Sequence, residues 1–163
     1  MRKPRQLRSD AEYHVVARAN RKEFIFESKE MKDLFLSVLK EAKKKYKFLI
    51  KNFCIMGNHI HMIIKPFNKD SLSKIMQWIL SVFAIKYNKL LGITGHVWYD
   101  RFRSKIIDDI RQLIATYRYI AENPVRAGIV DNPIHYEYNG ITYAKKGKTG
   151  IMEPPTGVFA EQY

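Results

Sequence analysis

The chain is nearly devoid of cysteine. The single Cys54 excludes an internal disulfide and any cysteine-based zinc site. Because it falls in an apolar stretch, it reads as a small buried hydrophobe rather than a nucleophile. No run of eighteen apolar residues occurs, which excludes a membrane-spanning helix. Met1-Arg2-Lys3-Pro4-Arg5 has no apolar segment behind it, so no signal peptide is expected and the cytoplasm is the simplest compartment. There is no internal repeat, and no linker divides the chain. Acidic residues are scarce, 16 Asp and Glu against 29 Lys and Arg, for a net charge of +13 and a pI of about 9.8. That excess favours a polyanionic partner, nucleic acid first and an anionic membrane second. A bland solubility role is the alternative. Against it, part of the charge is arginine and is interleaved with aromatic residues.

With 163 residues, 46% hydrophobic and 28% charged, the chain has the makings of one ordinary domain with a real core. Residues 1–9, with Arg2, Lys3, Arg5 and Arg8, are expected to form a basic, mobile arm able to reach phosphates. The domain is expected over 10–143, and a Gly-, Lys-, Pro- and Thr-rich flexible tail over 144–163. Glu12–Arg18 reads as a first strand, with β-branched and aromatic residues at its centre. Ser28 starts a helix running to about Tyr46, with Met31, Leu34, Phe35, Val38, Leu39 and Ala42 at the 3.6-residue period. Phe48–Met56 and His59–Lys65 read as a hairpin about the Gly57-Asn58 turn. Ser71 caps a helix over Leu72–Leu91, with Leu72, Ile75, Met76, Ile79, Phe83 and Ile85 or Tyr87 inward, ended by Gly92. His96–Ile107 begins as a loop and becomes a fourth strand. Asp108-Asp109 caps a third helix from Ile110 to about Glu122, which stops before Pro124. The order β-α-β-β-α-β-α predicts an α+β fold, a ferredoxin-like split β-α-β sandwich. Helices should pack on one face of a four-stranded antiparallel sheet, with a C-terminal helix added.

The chain turns on Gly57-Asn58-His59-Ile60-His61-Met62. On a strand, the period of two puts His59 and His61 on one face. Two neutral imidazoles on a rigid strand can be metal ligands, or can be histidines satisfied by hydrogen bonds in a core or cleft. Sixty residues on, Tyr119 and Asn123 stand at i and i+4 on one helix face. Asn123 offers an amide oxygen that can complete a site with two imidazoles. Tyr119 offers a phenol that can attack beside a cation, or an aromatic ring that simply packs on the sheet. In His96–Ile107, aromatic and basic residues alternate, as on surfaces that stack bases and hold phosphates; an amphipathic edge strand would show the same pattern.

These residues resemble a known family. His59-Ile60-His61 matches the HUH motif, histidine–bulky hydrophobe–histidine. Tyr119-Ile120-Ala121-Glu122-Asn123-Pro124-Val125-Arg126-Ala127-Gly128 is similar to the Tyr-Ile-x-x-Asn-Pro-Val-Arg-Ala-Gly signature of REP-associated tyrosine transposases. These are single-tyrosine HUH transposases related to the smallest insertion-sequence enzymes. The resemblance runs from Tyr13-His14-Val15 through Trp98-Tyr99-Asp100-Arg101-Phe102-Arg103-Ser104 to Val130. It implies Tyr119 as the nucleophile and His59, His61 and Asn123 as ligands of Mg²⁺ or Mn²⁺. Imidazoles are unusual for Mg²⁺, which favours Mn²⁺ in vitro. The implied reaction is cutting and rejoining single-stranded DNA beside imperfect hairpins, through a 5′-phosphotyrosine.

The implied partner is a DNA hairpin of the repeated extragenic palindrome type, met by a nucleoid-associated enzyme in the cytoplasm. Candidate contacts are Arg5, Arg8, Arg101, Arg103, Lys105 and Arg126, with Trp98 and Tyr99 as stacking candidates. Any of these can instead be structural, Arg126 first among them. Where the family continues toward a Trp-Ser-Ser-like segment, Tyr138-Asn139-Gly140-Ile141 stands here. Some relatives exchange the tyrosine helix between subunits, so monomer and homodimer both stay open. The alternative functions are a non-catalytic DNA-hairpin binder and an RNA-binding protein on the same fold. The latter would carry aromatic residues on its third strand, where this chain has histidines.

Overall fold

In the computed structural model, which describes residues 3–67, 70–148 and 150–161, strand β1 (Glu12–Arg18) alternates buried and half-exposed residues along its length. It sits second from the edge of a four-stranded sheet of order β2-β3-β1-β4. Its neighbours are β3 (His59–Pro66) and β4 (Arg103–Ile107), and β2 (Phe48–Ile55) closes the far side; every pairing is antiparallel. The hairpin between β2 and β3 turns at Gly57-Asn58, where the Met56 N–H donates to the His59 carbonyl at 2.9 Å. This is the split β-α-β layout expected from the order of elements.

Helices α1 (Lys29–Lys45) and α2 (Leu72–Leu91) cover one face. Each is capped by a serine, Ser28 and Ser71, whose hydroxyl accepts an orphan N–H of the first turn at 3.2 Å. Lys43-Lys44-Lys45 ends α1, where cations offset the carbonyl end of the helix dipole. Gly92, at φ +63°, ends α2 in the left-handed conformation that glycine adopts without strain. Phe26, Phe35 and Phe83 meet at ring distances of 5.1–5.5 Å beneath these helices. Of the two residues proposed for the last inward turn of α2, Tyr87 packs on Phe83, whereas Ile85 points to solvent.

The third helix, α3 (Ile110–Ala121), lies on the opposite face, against β2 and β3. It buries Leu113, Tyr117, Ile120 and Ala121 against Cys54, Ile63 and Ile107. Cys54 is fully buried there, so its environment is that of a packed hydrophobe. A β-bulge lets β2 serve both faces. Lys51 and Asn52 occupy the place of one residue between the Ile50–Ile64 and Asn52–Ile63 pairs. As a result Ile50 and Phe53 both join the core under α1 and α2, although they are three residues apart. Asn52 turns to the other side, where its Nδ2 donates to the Tyr117 carbonyl at 3.0 Å.

The chain then adds a short helix α4 (Asn123–Arg126) and, after Asn139, helix α5 (Gly140–Lys145). Glycine is required at 140, because a Cβ there would collide with Asn52 Oδ1. The Tyr138 carbonyl accepts the Ile55 N–H at 3.0 Å, and the Glu153 N–H donates to the Ile50 carbonyl at 3.2 Å. These bonds cover the outer edge of β2, which would otherwise present unpaired groups. Ile151 and Met152 are buried in the main core, and Glu153 pairs with Lys43 at 2.6 Å. The stretch expected to be a flexible tail is therefore docked at these three residues. Its composition hid two apolar anchors. Met1, Arg2, Thr149, Gln162 and Tyr163, which fall in the expected arm and tail, lie outside the described residues.

Candidate functional site

Strand register builds the site. His61 pairs with Val16 of β1 and Val16 with Arg103 of β4, so these three side chains share one face. One step along, Ile63, His14 and Lys105 form the next row, and His59 with Arg18 the row on the other side. Since Ile63 packs under α3, all of these residues face α3 rather than the aromatic core. His59 and His61 therefore stand side by side, their ring centroids 5.0 Å apart.

Tyr119 comes down on His61 from α3. Its ring lies edge-on to His61 at 5.7 Å and to His14 at 5.9 Å, all within one chain. It is 46% exposed. Asn123, four residues on, is half-buried at the start of α4. The kink between the two helices at Glu122 is set by Pro124, which has no N–H to give to the Ile120 carbonyl. Other donors satisfy the freed carbonyls. Arg126 donates to Tyr119 O at 2.7 Å, the Glu122 N–H to Ile120 O, and Asn139 Nδ2 to Ala121 O at 2.8 Å. The Arg126 guanidinium also lies over the Tyr119 ring, 4.1 Å from its centroid.

Both imidazoles are neutral at physiological pH. Burial, with the Arg18 charge added, pushes His59 down to about 4. Burial, with His59, His14, Arg18 and Arg126 added, pushes His61 down to about 3. Each ring is held through Nδ1. Asn58 Oδ1 lies 2.7 Å from His59 Nδ1, and His14 Nε2 lies 3.1 Å from His61 Nδ1. That leaves the Nε2 atom of each ring as the candidate ligand atom. Two neutral nitrogens on a rigid strand suit a divalent ion of the Mn²⁺ kind, and Asn123, at the start of α4, is the nearby residue type that could add an amide oxygen. Among the described residues no cluster of three or more His, Cys, Asp or Glu could hold a metal ion.

The basic residues divide into two groups. Arg103 and Lys105 are exposed on β4 and share the face of His61 and His14. With Lys3, Arg5, Arg8 and Arg101 they line an open groove of about 770 Å³ between the N-terminal segment and β4. Arg101 and Tyr99 sit in the preceding loop, Tyr99 69% exposed. Arg8 makes an exposed ion pair with Asp108 at 3.0 Å. Arg5 is engaged with the protein itself. It stacks 3.5 Å from the Phe102 ring centroid and donates to the Phe102 carbonyl and to Ser73 Oγ. Trp98 packs with Phe26, Phe35 and Phe83, and its indole N–H donates to the Leu80 carbonyl at 2.9 Å. Its ring thus belongs to the α1–α2 side, away from the histidines.

Two residues of the site escaped the sequence reading, His14 and Arg18. Both lie on the alternating polar face Glu12-His14-Val16-Arg18 of β1. The alternation was visible, but the pairing of β1 with β3 was not.

A split β-α-β sandwich with one open, cationic face is a layout suited to nucleic acid. The comparisons narrow the class. The family model described as "Transposase IS200 like" matches residues 8–123, well over half of the chain. The protein belongs to the IS200-like transposase family, and is therefore a transposase, an enzyme that cuts and moves DNA. Its fold is that of a REP-associated tyrosine transposase solved bound to a REP hairpin, with a TM-score of 0.76 at 16% identity over 100% of this chain and 95% of that one. A protein of Deinococcus radiodurans R1 described as a transposase matches with a TM-score of 0.52 at 13% identity, over 73% of this chain and 96% of that one. No curated protein matches in sequence. Among the described residues no helix is long and apolar enough to cross a membrane.

Proposed function

We propose that this transposase cuts and rejoins single-stranded DNA beside imperfect hairpins, with Tyr119 as the nucleophile. The carrying observation is the Tyr119 ring standing 5.7 Å from the His61 ring within the same chain. The phenol oxygen attacks phosphorus, the bond to the 3′ oxygen breaks, and a 5′-phosphotyrosine and a free 3′-hydroxyl result. Reversal by a second 3′-hydroxyl rejoins the strand, with the energy kept in the covalent bond. His59, His61 and Asn123 would hold a divalent cation, Mn²⁺ or Mg²⁺. When bound, it supplies charge neutralisation at the non-bridging phosphate oxygens.

The chain's own residues do the rest. Arg126 pins the Tyr119 ring and its carbonyl, which fixes the direction of attack. Arg103 and Lys105 offer cations on the same face for the backbone of the incoming strand, with Arg8 and Arg101 further along the groove and the exposed Tyr99 ring in the loop before it. Arg5 would act by shaping the groove wall and Trp98 by anchoring the loop before β4, since their polar groups are already engaged. One chain supplies both the phenol and the imidazoles, which supports action as a monomer. A hairpin substrate is supported by the likeness to the REP-associated transposase that was solved with one.

The test is Tyr119→Phe, incubated with a hairpin oligonucleotide and Mn²⁺ and run on a denaturing gel. Hairpin binding should be retained within about threefold and the covalent protein–DNA band should vanish. A variant that still forms the band would remove Tyr119 from the nucleophile role.

A further inference from the structure

His14 touches no ligand position itself, yet it is built into the site. It stands on β1, one row from His61, and its Nε2 lies 3.1 Å from His61 Nδ1, with the two rings stacked at 5.3 Å and 22° between planes. A neutral imidazole carries one N–H and one lone pair, so a bond between two neutral rings fixes both tautomers. If His14 Nε2 accepts, His61 must carry its proton on Nδ1 and present a lone pair at Nε2. If His14 donates instead, His61 carries its proton on Nε2 and cannot ligate there. His59 gains the same service from Asn58 Oδ1, which can only accept and so holds the proton on His59 Nδ1 at 2.7 Å.

We infer that His14 is a positioning residue: its Nε2 accepts the His61 Nδ1 proton and thereby aims the His61 Nε2 lone pair at the cation. The inference rests on the reading of His61 as a metal ligand. It also accounts for an imidazole on a strand position where an aliphatic residue would serve packing equally well. Partners of this kind hold a metal-ligating ring in its orientation, and their loss typically weakens metal affinity about 10- to 100-fold.

The experiment is a Mn²⁺ titration of the metal-free full chain, followed by electron paramagnetic resonance, on the unaltered protein and on His14→Ala, His14→Gln and His61→Ala. His14→Ala should bind Mn²⁺ about 10- to 100-fold more weakly. His14→Gln, whose amide oxygen can accept the same proton, should recover to within about threefold. Hairpin affinity in EDTA should be unchanged in both. A His14→Ala protein that binds Mn²⁺ like the unaltered one overturns the inference while leaving His61 a ligand. A His14→Gln protein as weak as His14→Ala overturns it too, because the imidazole itself would then be needed. Binding undiminished in His61→Ala would fail the ligand reading, and this inference with it. Should His14→Ala not fold, nitrogen-15 spectra of the unaltered protein decide: a proton on His61 Nδ1 is expected, and one on Nε2 overturns the inference.

Discussion

The two faces of the sheet use the same four strands for opposite ends. Under α1 and α2 the strands present Tyr13, Val15, Ile50, Phe53, Ile60, Met62 and Ile64, all buried, and the aromatic cluster closes over them. On the other face α3 lies chiefly over β2 and β3. The polar row of β1 and the basic residues of β4 stay half-exposed or exposed beside it. The sealed face holds the fold together; the uncovered half of the other face leaves a cationic surface open next to Tyr119. The difference shows how a small chain separates stability from chemistry. Alternate residues of one strand point to one or the other, and a change in one set need not reach the other.

That separation can be broken from the sealed side. Phe83→Ala removes a fully buried ring and should cost about 3–5 kcal/mol of stability. Denaturant unfolding measures it, and covalent-adduct formation by the folded fraction should be unchanged. Adduct formation lost in step with stability would mean that the faces are coupled.

A smaller effect is expected from the open side. Arg103→Ala and Lys105→Ala should leave stability within about 0.5 kcal/mol. Each should lower the slope of log affinity against log salt by about 0.7 for a single-stranded substrate. Fluorescence anisotropy with a hairpin oligonucleotide at several salt concentrations reads the slope, and an unaltered slope would take these residues out of the interface.

A third expected effect is a pH dependence set by the imidazoles of the open face. His59 is held at about 4 and His61 at about 3, against an ordinary value of 6.5. Below pH 6.5 the unfolded chain binds protons that the folded one refuses. Stability from this source is complete above pH 6.5 and is lost as the pH falls through the folded values. The unfolding midpoint of the metal-free protein should therefore drop between pH 7 and pH 5, and drop less in a His59→Gln, His61→Gln variant. Parallel pH profiles for the two proteins would show that the imidazoles are not the source.

Much of this was legible in the sequence. Ser28, Ser71 and Asp109 all cap the helices they were expected to start, and β1 runs over the residues its alternation marked. The nearness of Tyr119 to the imidazole pair followed from the helix packing across the β2–β3 hairpin. What stayed hidden depends on partners distant in sequence. The bulge at Lys51 is needed because Asn52 must reach Tyr117 while Phe53 joins the core, and no local signal announces that. Trp98 looked like a stacking platform because aromatic and basic residues alternate through its stretch, but a loop residue's direction is set by the cluster that receives it. The C-terminal stretch looked free because polar residues outnumber its two anchors. His14 needed the order of strands, which periodicity does not give.

The end of α3 is gripped from three sides, by Asn52 at Tyr117, by Arg126 at Tyr119 and by Asn139 at Ala121. A DNA end joined to the Tyr119 oxygen would hang from a stiff bracket rather than a loose tether. Its reach is then about the length of one side chain, and the strand that takes over the joint has to be delivered to it.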